Sequence, residues 1–265
     1  MNKLKVIIPL YHDRLPDLEL KLLRNNLERL ASHTIVLLMP EGLALDGMRE
    51  QFSVDDYPIV RVSPEWLGRK NGVAGYNRMM LSAEFYELFC DSEYILICQT
   101  DAYIDRDELL DWCSRGYDYV GAPWPMKLKY NLPFIKQYVQ LRRWLRRDMS
   151  VILRQDLFDK VGNGGLSLRR VSKCVEVCRG YSAVVEEFCT SEHNLYNEDV
   201  FWAIIPKDLR YPSIEEALGF SIDMKPKYCF KLANGVMPMG VHGLTYPKYF
   251  KFWHDKIALL RTPPM

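Results

Sequence analysis

The run Tyr94-Ile95-Leu96-Ile97-Cys98 has no polar face. Side chains alternate across a strand, so a strand apolar at every position must be covered on both sides. Lys5-Val6-Ile7-Ile8-Pro9 is a similar run stopped by its proline, and 34–39, 59–62 and 117–122 are further strand candidates. Between them apolar residues recur at helical spacing. Leu20, Leu23, Leu27 and Leu30 mark one helix, with Pro16 near its start, where a missing N–H costs little. Leu81, Phe85 and Leu88 mark a second, predicted from about residue 74 to 89, and 109–113 a third. The alternation predicts an α/β protein with a mostly parallel central sheet flanked by helices. Such sheets bind ligands beyond the carboxyl ends of their strands. The residues just after each strand, 11–14, 99–103 and Pro123-Trp124, are therefore the first places to look for function.

The 265 residues suffice for one large core without a disulfide or metal staple. A soft boundary near Pro125 divides a single domain into a nucleotide-type half (about 1–125), a basic helical insert (about 126–148) and an elaborated half (about 149–265). With 48% hydrophobic and 26% charged residues the chain is an ordinary globular one, not a disordered or collagen-like one. The formal charge of +1 gives no footprint for nucleic acid. Seven scattered cysteines, an odd number, fit reduced thiols; Cys174 and Cys178 lie one helical turn apart, but no second pair completes a zinc set. The five-residue apolar run of the N-terminus is too short for a signal peptide, and the expected location is cytoplasmic.

Four segments carry possible chemistry. Gln99-Thr100-Asp101 follows the most apolar strand, and a carboxylate there faces a ligand or cation, or simply caps a turn. Gly162-Asn163-Gly164-Gly165-Leu166-Ser167-Leu168-Arg169 permits close backbone approach by a ligand; the plain alternative is a tight hairpin. It matches neither a dinucleotide fingerprint nor a P-loop. Asn197-Glu198-Asp199 opens a predicted helix, 197–205, where acids suit the helix dipole. The same position suits a general base, whose pKa the neighbouring N–H groups are expected to lower. Met239-Gly240-Val241-His242-Gly243 places an imidazole in a small-residue turn.

Taken in order, these segments resemble the catalytic domain of the β-1,4-galactosyltransferases and related inverting glycosyltransferases of GT-A fold. They resemble still more closely a bacterial and fungal family of the DUF5672 type. That family carries blocks like Gln99-Thr100-Asp101, Gly121-Ala122-Pro123-Trp124, Asn163-Gly164-Gly165 with Ser167-Leu168-Arg169, and Asn197-Glu198-Asp199-Val200-Phe201. The resemblance implies a GT-A, Rossmann-like sheet with an acceptor-binding C-terminal half. It implies a glycosyltransferase that moves a sugar from a nucleoside diphosphate sugar, UDP-linked by expectation, to a glycan or lipid-linked glycan hydroxyl with inversion. By the same resemblance Pro9, Tyr11, Arg14, Tyr76 and Arg78 contact the nucleotide. Gln99-Thr100-Asp101 stands where the family has Asp-x-Asp, and Gly164 and Gly165 match the donor-sugar loop. Asp199 matches the catalytic base, with Glu198 beside it holding sugar hydroxyls, and Met239 with His242 matches a metal-binding Met-x-x-His. Two departures stand out: Gln99 replaces the first Asp, and Leu195-Tyr196 replaces a Trp-Gly-Trp stretch, which leaves the acceptor open.

The implied chemistry is coherent. A leaving diphosphate needs its charge neutralised, which a divalent cation does as a Lewis acid. Oxygen ligands with one imidazole suit Mn2+ or Mg2+, here expected on Asp101, His242 and Met239, with Arg78 adding charge and Trp124 a possible sugar platform. The alternative is a non-catalytic nucleotide-sugar or glycan binder that keeps the fold. The stretch 127–147 holds seven basic residues and no acid, with Phe134, Tyr138, Leu141 and Leu145 at helical spacing. It is expected either to lie on an anionic membrane at the inner face, or to pack its apolar side on the core.

Overall fold

The computed structural model describes residues 2–68, 70–127, 130, 132–145, 152–191 and 193–262; of residues 2, 136, 139 and 143 it describes the backbone. Nine strands are described: β1 (Asn2–Pro9), β2 (Thr34–Pro40), β3 (Ile59–Val62), β4 (Ser92–Cys98), β5 (Tyr103–Ile104), β6 (Tyr119–Val120), β7 (Leu166–Arg170), β8 (Ser221–Ile222) and β9 (Gly240–Val241). Six form a sheet in the order β3-β2-β1-β4-β7-β6. β1 runs parallel to β2 and β4, with Ile7 opposite Val36 and Ile97, and β2 parallel to β3. β7 alone runs antiparallel, pairing Cys98 with Leu166 on one side and Val120 with Leu168 on the other. β5, β9 and β8 make a second, three-stranded sheet.

The apolar strands do what their composition requires. Val6, Ile8, Leu96 and Cys98 face one core, while Ile7, Ile95 and Ile97 face another on the opposite side of the sheet. A third cluster, around Val241, Leu244 and Trp253, covers the small sheet. The helix expected over 74–89 is two helices, Gly72–Met80 and Ala83–Glu87. Ser82 breaks the run in an extended conformation and caps the second helix, its hydroxyl accepting from the Phe85 amide. The strand expected over 117–122 is shorter, Tyr119–Val120. β7 lies where the glycine cluster was expected to turn.

The helix Pro133–Leu145 stands away from both cores. Phe134 is 86% exposed, Tyr138 61% and Leu145 64%, so the expectation that this face packs inward is not met. Residues 128, 129, 131, 146 and 147 of the basic stretch lie outside the described residues. All seven cysteines are free, as expected of reduced thiols, and Cys90 is exposed. Among the described residues no helix is long and apolar enough to cross a membrane.

Candidate active site

β1 and β4 deliver Pro9 and Gln99 to the same edge of the sheet because they are parallel neighbours. A cavity of about 320 Å³ opens there, within the range of small-molecule sites. Pro9, Tyr11, Tyr76, Gln99, Thr100 and Gly165 line it together with Glu198, Asp199 and His242. Nine of the fourteen expected site residues thus meet in one cleft. Asp101 adjoins it through His242, whose Nε2 lies 3.1 Å from Asp101 Oδ1 and 3.0 Å from Gln99 Oε1. Thr245 donates its hydroxyl to Asp101 Oδ2 at 3.1 Å.

The glycine pair explains how these groups approach one another. A Cβ on Gly165 would sit 2.1 Å from His242 Nε2, and one on Gly164 would sit 1.8 Å from Glu198 Oε1. The space that side chains would fill is taken by the imidazole and the carboxylate. The Gly164 amide donates to Asp199 Oδ1 at 2.6 Å. Asn197 caps the helix Glu198–Ile204, accepting from the Val200 amide at 3.0 Å, and this cap aims both acids at the cleft. Behind them lies Arg169, fully buried, pairing with Glu198 Oε2 at 3.0 Å and donating to the Tyr86 hydroxyl at 2.7 Å and the Ser167 hydroxyl at 2.9 Å. The Glu198 carboxylate is therefore already engaged by an arginine as well as bordering the cleft.

The ionisation pattern follows. Burial pushes Asp199 well above the usual carboxylate range, reinforced by the charge of Glu198 and a hydrogen bond shared with it. This reverses the lowering expected from the helix N-terminus, because burial and a neighbouring carboxylate outweigh one amide donor. Burial also opposes the ionisation of Asp101, but the His242 cation and hydrogen bonds from His242 and Thr245 prevail and hold Asp101 low. His242 moves up: burial opposes its charge, yet Asp101 and Asp223 on either side outweigh the cost. Asp223 Oδ1 is 3.6 Å from His242 Nδ1, and its Oδ2 accepts from Asn163 Nδ2 at 2.9 Å.

Three expected residues are not brought to the cleft, and two have other tasks nearby. Met239 is fully buried in the core beside Leu166 and Phe220; strand alternation turns position 239 away from the side that carries His242. Arg78 sits two residues, about 200° of helix, from the inward-facing Tyr76, and lies exposed 3.8 Å from Glu186. Arg14 pairs with Glu50 at 2.6 Å on the surface. Gly164 underlies the acid pair without lining the cavity, and Trp124, half-buried, packs beside Gly162 against the core and does not line the cavity either. Asp223 and Tyr246 were not foreseen as site residues, while Asn77 and Asn163 belong to the Tyr76-Asn77-Arg78 and Gly162–Arg169 blocks without having been singled out in them. Asp223 follows the short buried strand β8, Ser221–Ile222, as a strand-exit acid like Asp101, and that was the available signal.

No lysine or arginine lines the cavity among the described residues. A diphosphate there would meet the Glu198 and Asp199 carboxyls, with Asp101 and Asp223 beside His242, which among the described lining residues alone offers a cation. Asp101, the Gln99 amide oxygen and His242 form a donor set suited to Mn2+ or Mg2+. Among the described residues no group of three or more acids, histidines or cysteines forms a ready-made cage. Such ions commonly take one or two carboxylates and complete their shell with substrate phosphates and water, so this donor set fits one.

Comparison with known families decides the kinship. The chain belongs to the family described as protein of unknown function (DUF5672). The family model matches residues 56–242, which takes in the 99–101, 162–169, 197–199 and 239–242 segments. No curated protein matches this DUF5672 member. Its fold is similar to that of mouse xyloside xylosyltransferase 1 in its apo form, at 12% identity and a TM-score of 0.52, over 91% of this chain and 97% of that one. It is similar also to the galactosyltransferase LgtC in complex with donor and acceptor sugar analogs, at 11% identity and a TM-score of 0.55, over 98% and 97%. The bifunctional glycosyltransferase WbbM, apo, matches at 12% identity and a TM-score of 0.56, over 91% of this chain and 45% of that one. What these proteins share with the DUF5672 member is the fold, a mostly parallel sheet flanked by helices of GT-A type.

Proposed function

We propose that the protein is a glycosyltransferase that moves a sugar from a nucleoside diphosphate sugar, by preference UDP-linked, to a glycan hydroxyl with inversion. The observation that carries this reading is the convergence of Asp101, His242 and the Glu198–Asp199 pair at the carboxyl edge of the sheet, around a cavity that three aromatic residues border. The likeness to LgtC, a galactosyltransferase solved with donor and acceptor sugar analogs, supports it.

Tyr11 and Tyr246, partly exposed at the rim, offer ring faces to the base, and Asn77 and Thr100 offer hydrogen bonds to ribose and phosphate. Asp101, Gln99 and His242, the imidazole giving up its proton, would hold a divalent cation, and that ion would neutralise charge on the departing diphosphate. Met239, Arg78 and Arg14 take no part, given where they lie. Gly165 lets the His242 imidazole sit against the backbone at the wall of the cleft, beside the place of the donor sugar. Asp199 accepts the proton of the acceptor hydroxyl as that oxygen attacks the anomeric carbon. Glu198, held by Arg169, fixes the direction of its neighbour and raises its proton affinity, matching the base more closely to neutral pH.

The test is to incubate the protein with sugar-labelled UDP-hexoses and Mn2+ and follow release of labelled sugar to water. Slow donor hydrolysis that Asp199→Asn abolishes supports a transferase. Tight donor binding with no cleavage by any preparation contradicts it and leaves a binder.

A further inference from the structure

The helix Pro133–Leu145 leaves Phe134, Tyr138, Leu141 and Leu145 on one face at intervals of four, three and four residues, all exposed, with Trp144 exposed beside them. A soluble helix normally turns such a stripe towards a core. The charge around it is lopsided: the stretch 127–147 has seven basic residues and no acid. Without those seven, twenty-eight basic residues of the chain stand against thirty-four acidic ones, so the positive charge is local. An exposed apolar stripe with aromatic members, in a stretch of sequence with seven cations and no acid, has the chemistry of a helix lying in the interface of an anionic bilayer.

The topology says which side of the molecule this helix serves. β6 is antiparallel to β7, and β7 antiparallel to β4, so β6 ends at the same edge as β4, where the cleft lies. The chain leaves β6 through Gly121–Trp124 and returns at Asp159–Gly162. The two limbs are joined where the Trp124 amide donates to the Lys160 carbonyl at 2.8 Å, the Asp159 amide to the Trp124 carbonyl at 3.0 Å and the Met126 amide to Asp159 Oδ1 at 2.8 Å. The returning limb runs directly into the glycine loop of the cleft. The helix is thus an excursion from the ligand-bearing edge, tied at its base beside the acid pair.

We infer that the helix Pro133–Leu145 docks on an anionic lipid surface, inserting Phe134, Tyr138, Leu141 and Leu145 below the headgroups while the surrounding lysines and arginines engage them, and so holds the cleft facing the membrane. The acceptor is then a hydroxyl on a lipid-carried glycan. That last step rests on the glycosyltransferase reading, whereas the docking does not.

Flotation of the full chain with phosphatidylcholine vesicles, with and without phosphatidylglycerol, tests the docking. The protein should float with the anionic vesicles and not with the neutral ones, and added salt should release it. Lys127→Glu with Arg142→Glu should lower partition by about fivefold or more per cation reversed. Phe134→Ser with Leu141→Ser should lower it at least as far. Both variants should keep the wild-type melting temperature measured without ligand, which shows them folded. No flotation, or flotation that the apolar substitutions leave intact, overturns the inference. So does a wild-type dimer in size exclusion that Leu141→Ser dissociates, since a second copy would then cover the stripe. Because flotation is read without nucleotide, its failure leaves the donor site standing, and absence of a UDP shift leaves the docking standing.

Discussion

At the residue scale the site is a cluster of carboxylates kept in different protonation states by their neighbours. Asp199→Asn keeps the shape and the Gly164 contact but removes the proton acceptor, so turnover should fall by about 10²–10⁴ while UDP binding is kept; steady-state rates and a binding isotherm check this. The pH dependence has a definite sign. The base works deprotonated, and its pKa is raised, so the acid limb of kcat/KM should lie well above the ordinary carboxylate range and vanish in Asp199→Asn. Stability runs the other way. A carboxyl whose folded pKa exceeds its unfolded value stabilises fully below the unfolded value, and that contribution is lost as pH rises through the folded one. Thermal melts of Asp199→Asn should therefore lose less stability than wild type as pH rises. Arg169 is the second residue with a large expected effect. Its removal strands a buried Glu198, so Arg169→Met should cost about 3–5 kcal/mol in denaturant unfolding, and a double variant with Glu198→Gln should recover part of it.

At the scale of elements the legible parts were those with one dominant pattern. The continuous apolar runs around Ile7 and Leu96 could only be inner strands, and acids at a strand exit or helix start could be picked out by position. β7 was hidden because its second face is polar: Ser167 and Arg169 are buried, so Leu166-Ser167-Leu168-Arg169 reads as a half-exposed segment after glycines. The break at Leu81-Ser82 was hidden by apolar residues that keep helical spacing across it. Side-chain direction was the other loss. Tyr76 and Arg78 were expected to act together, but successive residues of a helix point 100° apart, so Tyr76 faces the cleft and Arg78 the solvent. Likewise strand alternation separates Met239 from His242. The cap Asn197 governs the helix bearing both acids. Asn197→Ala should cost about 1 kcal/mol in stability and lower turnover more than it weakens UDP binding.

At the scale of the whole molecule, the six-stranded GT-A sheet and the small sheet β5-β9-β8 bring strand exits from both halves of the chain to one cleft, and the excursion tied at Trp124 and Asp159 leaves from that side. The cleft it builds is acidic, with no lysine or arginine lining it among the described residues, so a diphosphate should bind there only together with a divalent cation. Thermal melting with UDP tests this most directly, because a ligand that binds the native state raises its melting temperature. The expected result is a clear rise with UDP plus Mn2+, little with UDP and a chelator, and none in Asp101→Asn or His242→Ala. A rise that persists in chelator and in both variants, or no rise under any condition, would contradict the convergence of these residues on one metal-bound diphosphate.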